Sequence, residues 1–156
     1  MIEEISRLLA ENFTHAIILP CGKTAKLTSS IMDISSLDIV LVTREEEGVG
    51  ISAGLSLAGN RPFMFIQSSG LGNSINAICS LIYAHELPLL IIASFRGYYN
   101  ELIEAQKQLG KRLPGLLEGM GVDFTIIDKF DEDEFSKIIK DVDSVRIILL
   151  STRLFD

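Results

Sequence analysis

Tryptophan is absent from this 156-residue chain, and cysteine (2), histidine (2) and proline (4) are scarce. Cys21 and Cys79 are too few and too far apart for a disulfide framework or a zinc ribbon, so a reducing compartment, the cytoplasm, is expected. No spacing of His, Cys, Asp and Glu reads as a metal site. Positive charge is the scarcer sign: 14 Lys+Arg against 21 Asp+Glu leave a net charge of −7 and a pI near 4.8. Such a field does not hold nucleic acid or an anionic membrane. Long apolar runs are missing too. The longest, Leu87 to Ala93, contains Pro88 and is far short of the roughly 20 residues of a membrane span. The start, Met1-Ile2-Glu3-Glu4, is acidic and unlike a signal peptide.

What is present suits a globular domain: 47% apolar and 22% charged residues, with no repeat or linker, so one domain over 1–156 is expected. Apolar residues recur at helical spacing from Ile2 to Asn12. Short β-branched or apolar runs then alternate with helical segments. The runs are Ala16 to Leu19, Ile39 to Val42, Phe63 to Ile66, Leu89 to Ala93, Phe124 to Ile127 and Val145 to Leu150. Six such strands imply a three-layer α/β/α fold around a six-stranded parallel sheet. Residues 95–113, punctuated by Gly97 and Gly110, read as a surface loop with a helical piece, followed by a short helix near 116–120.

In an open parallel sheet, ligands bind at the carboxyl ends of the strands, so the loops leaving the first four strands hold the candidates. They contain Pro20-Cys21-Gly22-Lys23-Thr24, Arg44-Glu45-Glu46-Glu47, Gln67-Ser68-Ser69-Gly70-Leu71-Gly72-Asn73 and Arg96-Gly97. Three glutamates opening a helix are also what the helix dipole favours. The helix beyond them, however, carries Gly48, Gly50, Ser52, Ala53, Gly54, Ser56 and Ala58, a poor helix by propensity. That density of small side chains points to close approach by another body. The Ser69-Gly70 segment reads either as a backbone cradle for an anion or ring, or as a tight turn with one glycine at positive φ. Neither a dinucleotide fingerprint nor a P-loop is present. Cys21 has no histidine nearby in sequence to activate it as a nucleophile. Arg96, Lys107, Lys111 and Arg112 form a local basic group, suited either to an anionic substrate or to a solvated surface.

Together these stretches resemble the pyrimidine-binding domain of thiamine-diphosphate-dependent 2-keto-acid decarboxylases, and within that family the members acting on sulfonate- or phosphonate-bearing keto acids. Gln67 to Asn76 is the most specific part, supported by Pro20-Cys21, Ala53-Gly54, Leu57-Ala58-Gly59 and Pro88-Leu89-Leu90. The resemblance implies thiamine diphosphate as cofactor. It also implies a glutamate nine residues before a helical glycine, facing the aminopyrimidine ring. Counting back from Gly54 selects Glu45, with Glu46 and Glu47 as neighbouring alternatives. Pro20, Cys21, Ser69 and Gly70 are then implied as cofactor-binding. The role of the carboxyl is to turn the cofactor's own amino group into a base.

The family's Gly-Asp-Gly motif, which holds Mg²⁺ and the diphosphate, does not occur in this chain. The resemblance therefore implies a beta subunit that carries that half, with Mg²⁺ on the partner, in a homodimer or hetero-oligomer. Where relatives carry a histidine after the fourth strand, this chain has Gln106. With Arg96, Lys111 and Arg112, Gln106 forms the candidate set for a small anionic 2-keto acid. A non-catalytic scaffold or a regulatory anion-binding subunit of the same fold are the alternatives.

Overall fold

The β-branched and apolar runs pair with one another in register and in parallel. A computed structural model describes residues 1–155. Strands β1 (His15–Ile18), β2 (Asp38–Leu41), β3 (Pro62–Gln67), β4 (Leu89–Phe95), β5 (Asp123–Ile127) and β6 (Val145–Ser151) form one sheet in the order β2-β1-β3-β4-β6-β5. β4 is wholly buried, as expected of a central strand covered on both faces.

Helices α3 (Glu45–Leu57), α4 (Ser69–Ala77) and α5 (Glu104–Gly119) cover one face. Val49, Ala53, Leu71, Leu113 and Leu117 meet Ile17, Met64, Ile91 and Ile147 there. Helices α1 (Ile2–Asn12), α2 (Ala25–Met32) and α6 (Glu132–Lys140) cover the other, where Ile5, Leu9, Leu27, Ile31, Phe135 and Ile139 pack on Ile18, Phe63 and Ile148. Asp131 caps α6 by accepting the Glu134 N–H at 2.9 Å. The three-layer parallel architecture is the one expected from the sequence.

Two segments differ from expectation. Residues 104–119 form one 16-residue helix with Pro114 inside it, in place of a loop and a short helix. Gly110 and Pro114 are locally helix breakers. Fully buried Leu113 and nearly buried Leu117 outweigh that cost, and Gly110 is where the chain at Arg96 and Gly97 passes: a Cβ there would meet the Arg96 carbonyl oxygen at 2.6 Å. Second, α4 begins at Ser69 with no intervening turn and runs on into a π-helical stretch, Ile78–Tyr83. Gly70 therefore has no positive φ; the glycines that do are Gly59, Gly97 and Gly121.

Candidate active site

Adjacent strands β1 and β3 send their chains to opposite faces of the sheet, β1 into α2 and β3 into α4. This opens a crevice between their carboxyl ends. Cys21 lies on one side of it, 6% exposed, and Gln67 on the other. A continuous polar chain joins three strands. The Ser94 hydroxyl donates to Cys21 Sγ at 3.3 Å, the thiol donates to Gln67 Oε1 at 3.8 Å, and Gln67 Nε2 donates to Ser69 Oγ. Ser68 ties the same rim to β4: its N–H donates to the Ser94 carbonyl at 3.0 Å, and its hydroxyl accepts the Arg96 N–H at 3.0 Å. Pro20 stands exposed at the mouth.

The three consecutive glutamates have separate fates. Glu46 pairs with Arg44 Nη2 at 2.5 Å; its own backbone hydrogen bond first, and Arg44 second, hold its carboxyl below the usual range. Exposed Glu47 accepts the Thr43 N–H at 3.4 Å. Glu45 alone turns inward and is 8% exposed. Its Oε2 accepts Asn73 Nδ2 at 3.3 Å, and its Oε1 takes no hydrogen bond among the described residues. The carboxyl lies directly over Gly70, where a Cβ would collide with Glu45 Cγ, Cδ and Oε1. Glycine at 70 is thus demanded by space and not by backbone conformation.

The glycines of α3 divide in the same way. At Gly48 a Cβ would press on Met64 Cε at 2.7 Å and Ile17 Cγ2 at 3.1 Å, so that glycine lets α3 sit close on β1 and β3. At Gly50 and Gly54 nothing lies within 4 Å. Packing within this chain does not require them.

The basic candidates are scattered. Arg96 is 9% exposed and is gripped in bidentate fashion by Glu101: Nε to Oε2 at 2.7 Å and Nη2 to Oε1 at 3.1 Å. The Glu101 side chain is 4% exposed and also accepts the Ile103 N–H at 3.1 Å. The Arg96 hydrogen bonds, ahead of the other contributions, hold the Glu101 carboxyl at about 2 against an ordinary 4.5. The Arg96 guanidinium is raised in turn, chiefly by Glu101. Gln106 is half-buried on the first turn of α5, and its carbonyl oxygen sits where a Cβ on Gly97 would be. Lys111 and Arg112 are exposed further along that helix, and Arg112 Nη1 is occupied by the Gln108 carbonyl oxygen at 2.7 Å.

The rim thus brings together Glu45, Gly70, Ser69, Cys21 and Arg96, while Lys111 and Arg112 are exposed on α5 and make no contact with these side chains among the described hydrogen bonds and ion pairs. Sequence reasoning singled out neither Asn73 nor Gln67, although both fall in the Gln67 to Asn76 stretch. Nothing in sequence marks Glu101, because its partner is created by the path of the loop. The cavity among Phe13, Pro62, Pro88 and Val142 opens at the amino ends of the strands, away from this rim.

Residues 3–113 match the family described as thiamine pyrophosphate enzyme, N-terminal TPP binding domain. The chain is 48% identical over 117 residues to a sulfopyruvate decarboxylase of Methanosarcina acetivorans, covering 75% of this chain and 30% of that protein. It is 38% identical over 129 residues to a sulfopyruvate decarboxylase subunit alpha of Methanococcus maripaludis, covering 83% of this chain and 76% of that subunit. The chain therefore spans less than a third of the Methanosarcina protein and about three quarters of the Methanococcus subunit. Among solved structures, benzoylformate decarboxylase from Polynucleobacter necessarius shares the fold, with a TM-score of 0.69 at 18% identity, over 99% of this chain and 30% of that one.

Proposed function

The chain belongs to the family of thiamine pyrophosphate enzymes, as their N-terminal TPP binding domain, and on that footing we propose that it is the alpha subunit of a sulfopyruvate decarboxylase. The reaction is conversion of 3-sulfopyruvate to sulfoacetaldehyde and CO₂, in the cytoplasmic route to coenzyme M. Its relatives at 48% and 38% identity carry that name. The single observation behind the assignment of the site is the inward turn of Glu45, with one carboxyl oxygen held by Asn73 and the other without a hydrogen-bond partner among the described residues.

These residues fit an aminopyrimidine ring. A carboxyl buried at the helix start lies in the space that Gly70 leaves by lacking a side chain, and Asn73 holds one of its oxygens. When bound, thiamine diphosphate supplies the electron sink for the electrons left by departing CO₂. Glu45 Oε1, which takes no hydrogen bond among the described residues, is the oxygen that would hydrogen-bond the aminopyrimidine ring. Asn73 keeps Oε2 from rotating away. Cys21, Pro20 and the Ser69-Gly70 start of α4 line the pocket and exclude water from it. Diphosphate and Mg²⁺ belong to a beta subunit, since this chain lacks the Gly-Asp-Gly motif. Gly50 and Gly54, bare of neighbours on α3, suit the close approach of that second chain.

The experiment is reconstitution of the chain with its beta partner, thiamine diphosphate and Mg²⁺, with CO₂ release followed on 3-sulfopyruvate. Glu45→Gln is expected to lower turnover by at least 100-fold, within the range for loss of a positioned proton-transfer group. Equal turnover in that variant would overturn the reading.

A further inference from the structure

The sulfonate of the substrate needs a cation, and the arginine nearest the crevice is not free to supply one. Arg96 and Glu101 neutralise each other through two charge-assisted hydrogen bonds. Drawing Arg96 onto a substrate anion would leave the Glu101 side chain, 4% exposed, without its counterion, a costly exchange. Arg44, Lys107 and Arg153 are paired with Glu46, Glu104 and Asp128. Lys111 is exposed on α5 beside Gly110, where Arg96 and Gly97 pass, and Arg112 Nη1 is held by the Gln108 carbonyl oxygen at 2.7 Å.

Two cations in the segment that follows β1 are unengaged. Lys23 and Lys26 are exposed and make no ion pair or side-chain hydrogen bond among the described residues. They line one cleft of about 380 Å³ with Gly22 and Ala25 on its wall and Ile2, Leu154 and Phe155 beside them. Their spacing of three residues along consecutive helical turns puts both ammonium groups on one side. The segment carrying them runs directly out of the crevice. It is pinned there by the Thr24 N–H, which donates to the Cys21 carbonyl at 3.1 Å, so Lys23 begins no more than about 7 Å of chain from Cys21.

We infer that Lys23 and Lys26 receive the terminal sulfonate of the substrate, which makes them the residues that set specificity for an anionic tail; this rests on the decarboxylase reading above. The division of charge suits the chemistry. The crevice itself presents a thiol, two hydroxyls and an amide (Cys21, Ser94, Ser69 and Gln67), with no free cation to stabilise the carboxylate that must leave. Binding energy taken from a remote tail anchors the substrate without holding back CO₂ loss.

The test uses the reconstituted complex with Lys23→Gln, Lys26→Gln and the double variant. Each single change is expected to raise KM for 3-sulfopyruvate 5- to 50-fold with kcat within 3-fold of wild type, the pattern of lost uniform binding. Lys23→Arg is expected to recover most of the loss, and raising salt to increase the wild-type KM more than that of the double variant. In parallel, 3-sulfopropanoate, which lacks the keto group, is titrated calorimetrically; the double variant is expected to bind it at least 10-fold more weakly. An active wild type with unchanged KM in the double variant overturns the inference while the decarboxylase reading survives. A wild type without turnover overturns that reading, and the inference is then decided by the 3-sulfopropanoate titration: lysine-dependent binding supports it, equal binding overturns it.

Discussion

The Glu45 carboxyl occupies the space that a side chain on Gly70 would take. Residues 25 positions apart in sequence are thereby locked into one steric unit, because an added methyl would overlap Cγ, Cδ and Oε1 of the glutamate.

Gly70→Ala is therefore expected to expel Glu45 from its position while leaving the fold in place, since alanine is the better helix former at a position already within α4. Turnover of the reconstituted complex should fall at least 100-fold, approaching Glu45→Gln, with a circular dichroism melt close to that of wild type. The double variant should be little worse than either single one, because both remove the same group. Additive losses would show that the two positions act separately.

The Arg96–Glu101 pair makes stability depend on acid. The Glu101 carboxyl is held at about 2 in the folded chain, against an ordinary 4.5. Its contribution is thus complete above pH 4.5 and is lost as pH falls from there toward 2. Urea unfolding of the chain should give a free energy on the order of 2 kcal/mol lower at the acid end of that interval from this group, with allowance for solvent reaching the loop. In Glu101→Gln the same interval should be flatter by that amount, because glutamine has no proton to take up. Parallel pH curves for wild type and variant would contradict the assignment.

Gly54 serves as a control on what α3 faces. No atom lies within 4 Å of a Cβ built there, so Gly54→Ala should stabilise the isolated chain by roughly 0.5–1 kcal/mol through helix propensity alone. If the bare face of α3 is where a second chain seats, the same substitution should weaken assembly, read as a rise of several-fold in the dissociation constant by analytical ultracentrifugation. Gly48→Ala, which meets Met64 and Ile17, should instead destabilise the isolated chain.

Much of the architecture was legible without coordinates. The alternation of apolar runs with helical periodicity is a local signal, and it yielded the parallel sheet and its strand-end loops. The segment from Glu104 to Gly119 was not legible, because Gly110 and Pro114 speak locally for a break. What holds that helix is burial of Leu113 and Leu117 against the sheet, together with the close passage of Arg96 and Gly97. The Ser69-Gly70 segment stayed open between two readings for the related reason that a glycine admits two explanations, positive φ or lack of room. Only the position of Glu45 decides between them.

The sequence by itself determined the fold class and the rim where a site had to lie, since both follow from periodicity and residue type, and its resemblance to the family pointed to the run of three glutamates. The tertiary structure decided which glutamate turns inward, that Gly70 makes room for it, and that Arg96 is consumed by Glu101 while Lys23 and Lys26 have no ion-pair partner among the described residues. Those outcomes depend on where separate loops meet, and the energy of a buried carboxyl or ion pair is set by what stands a few ångströms away in space, whatever the distance along the chain.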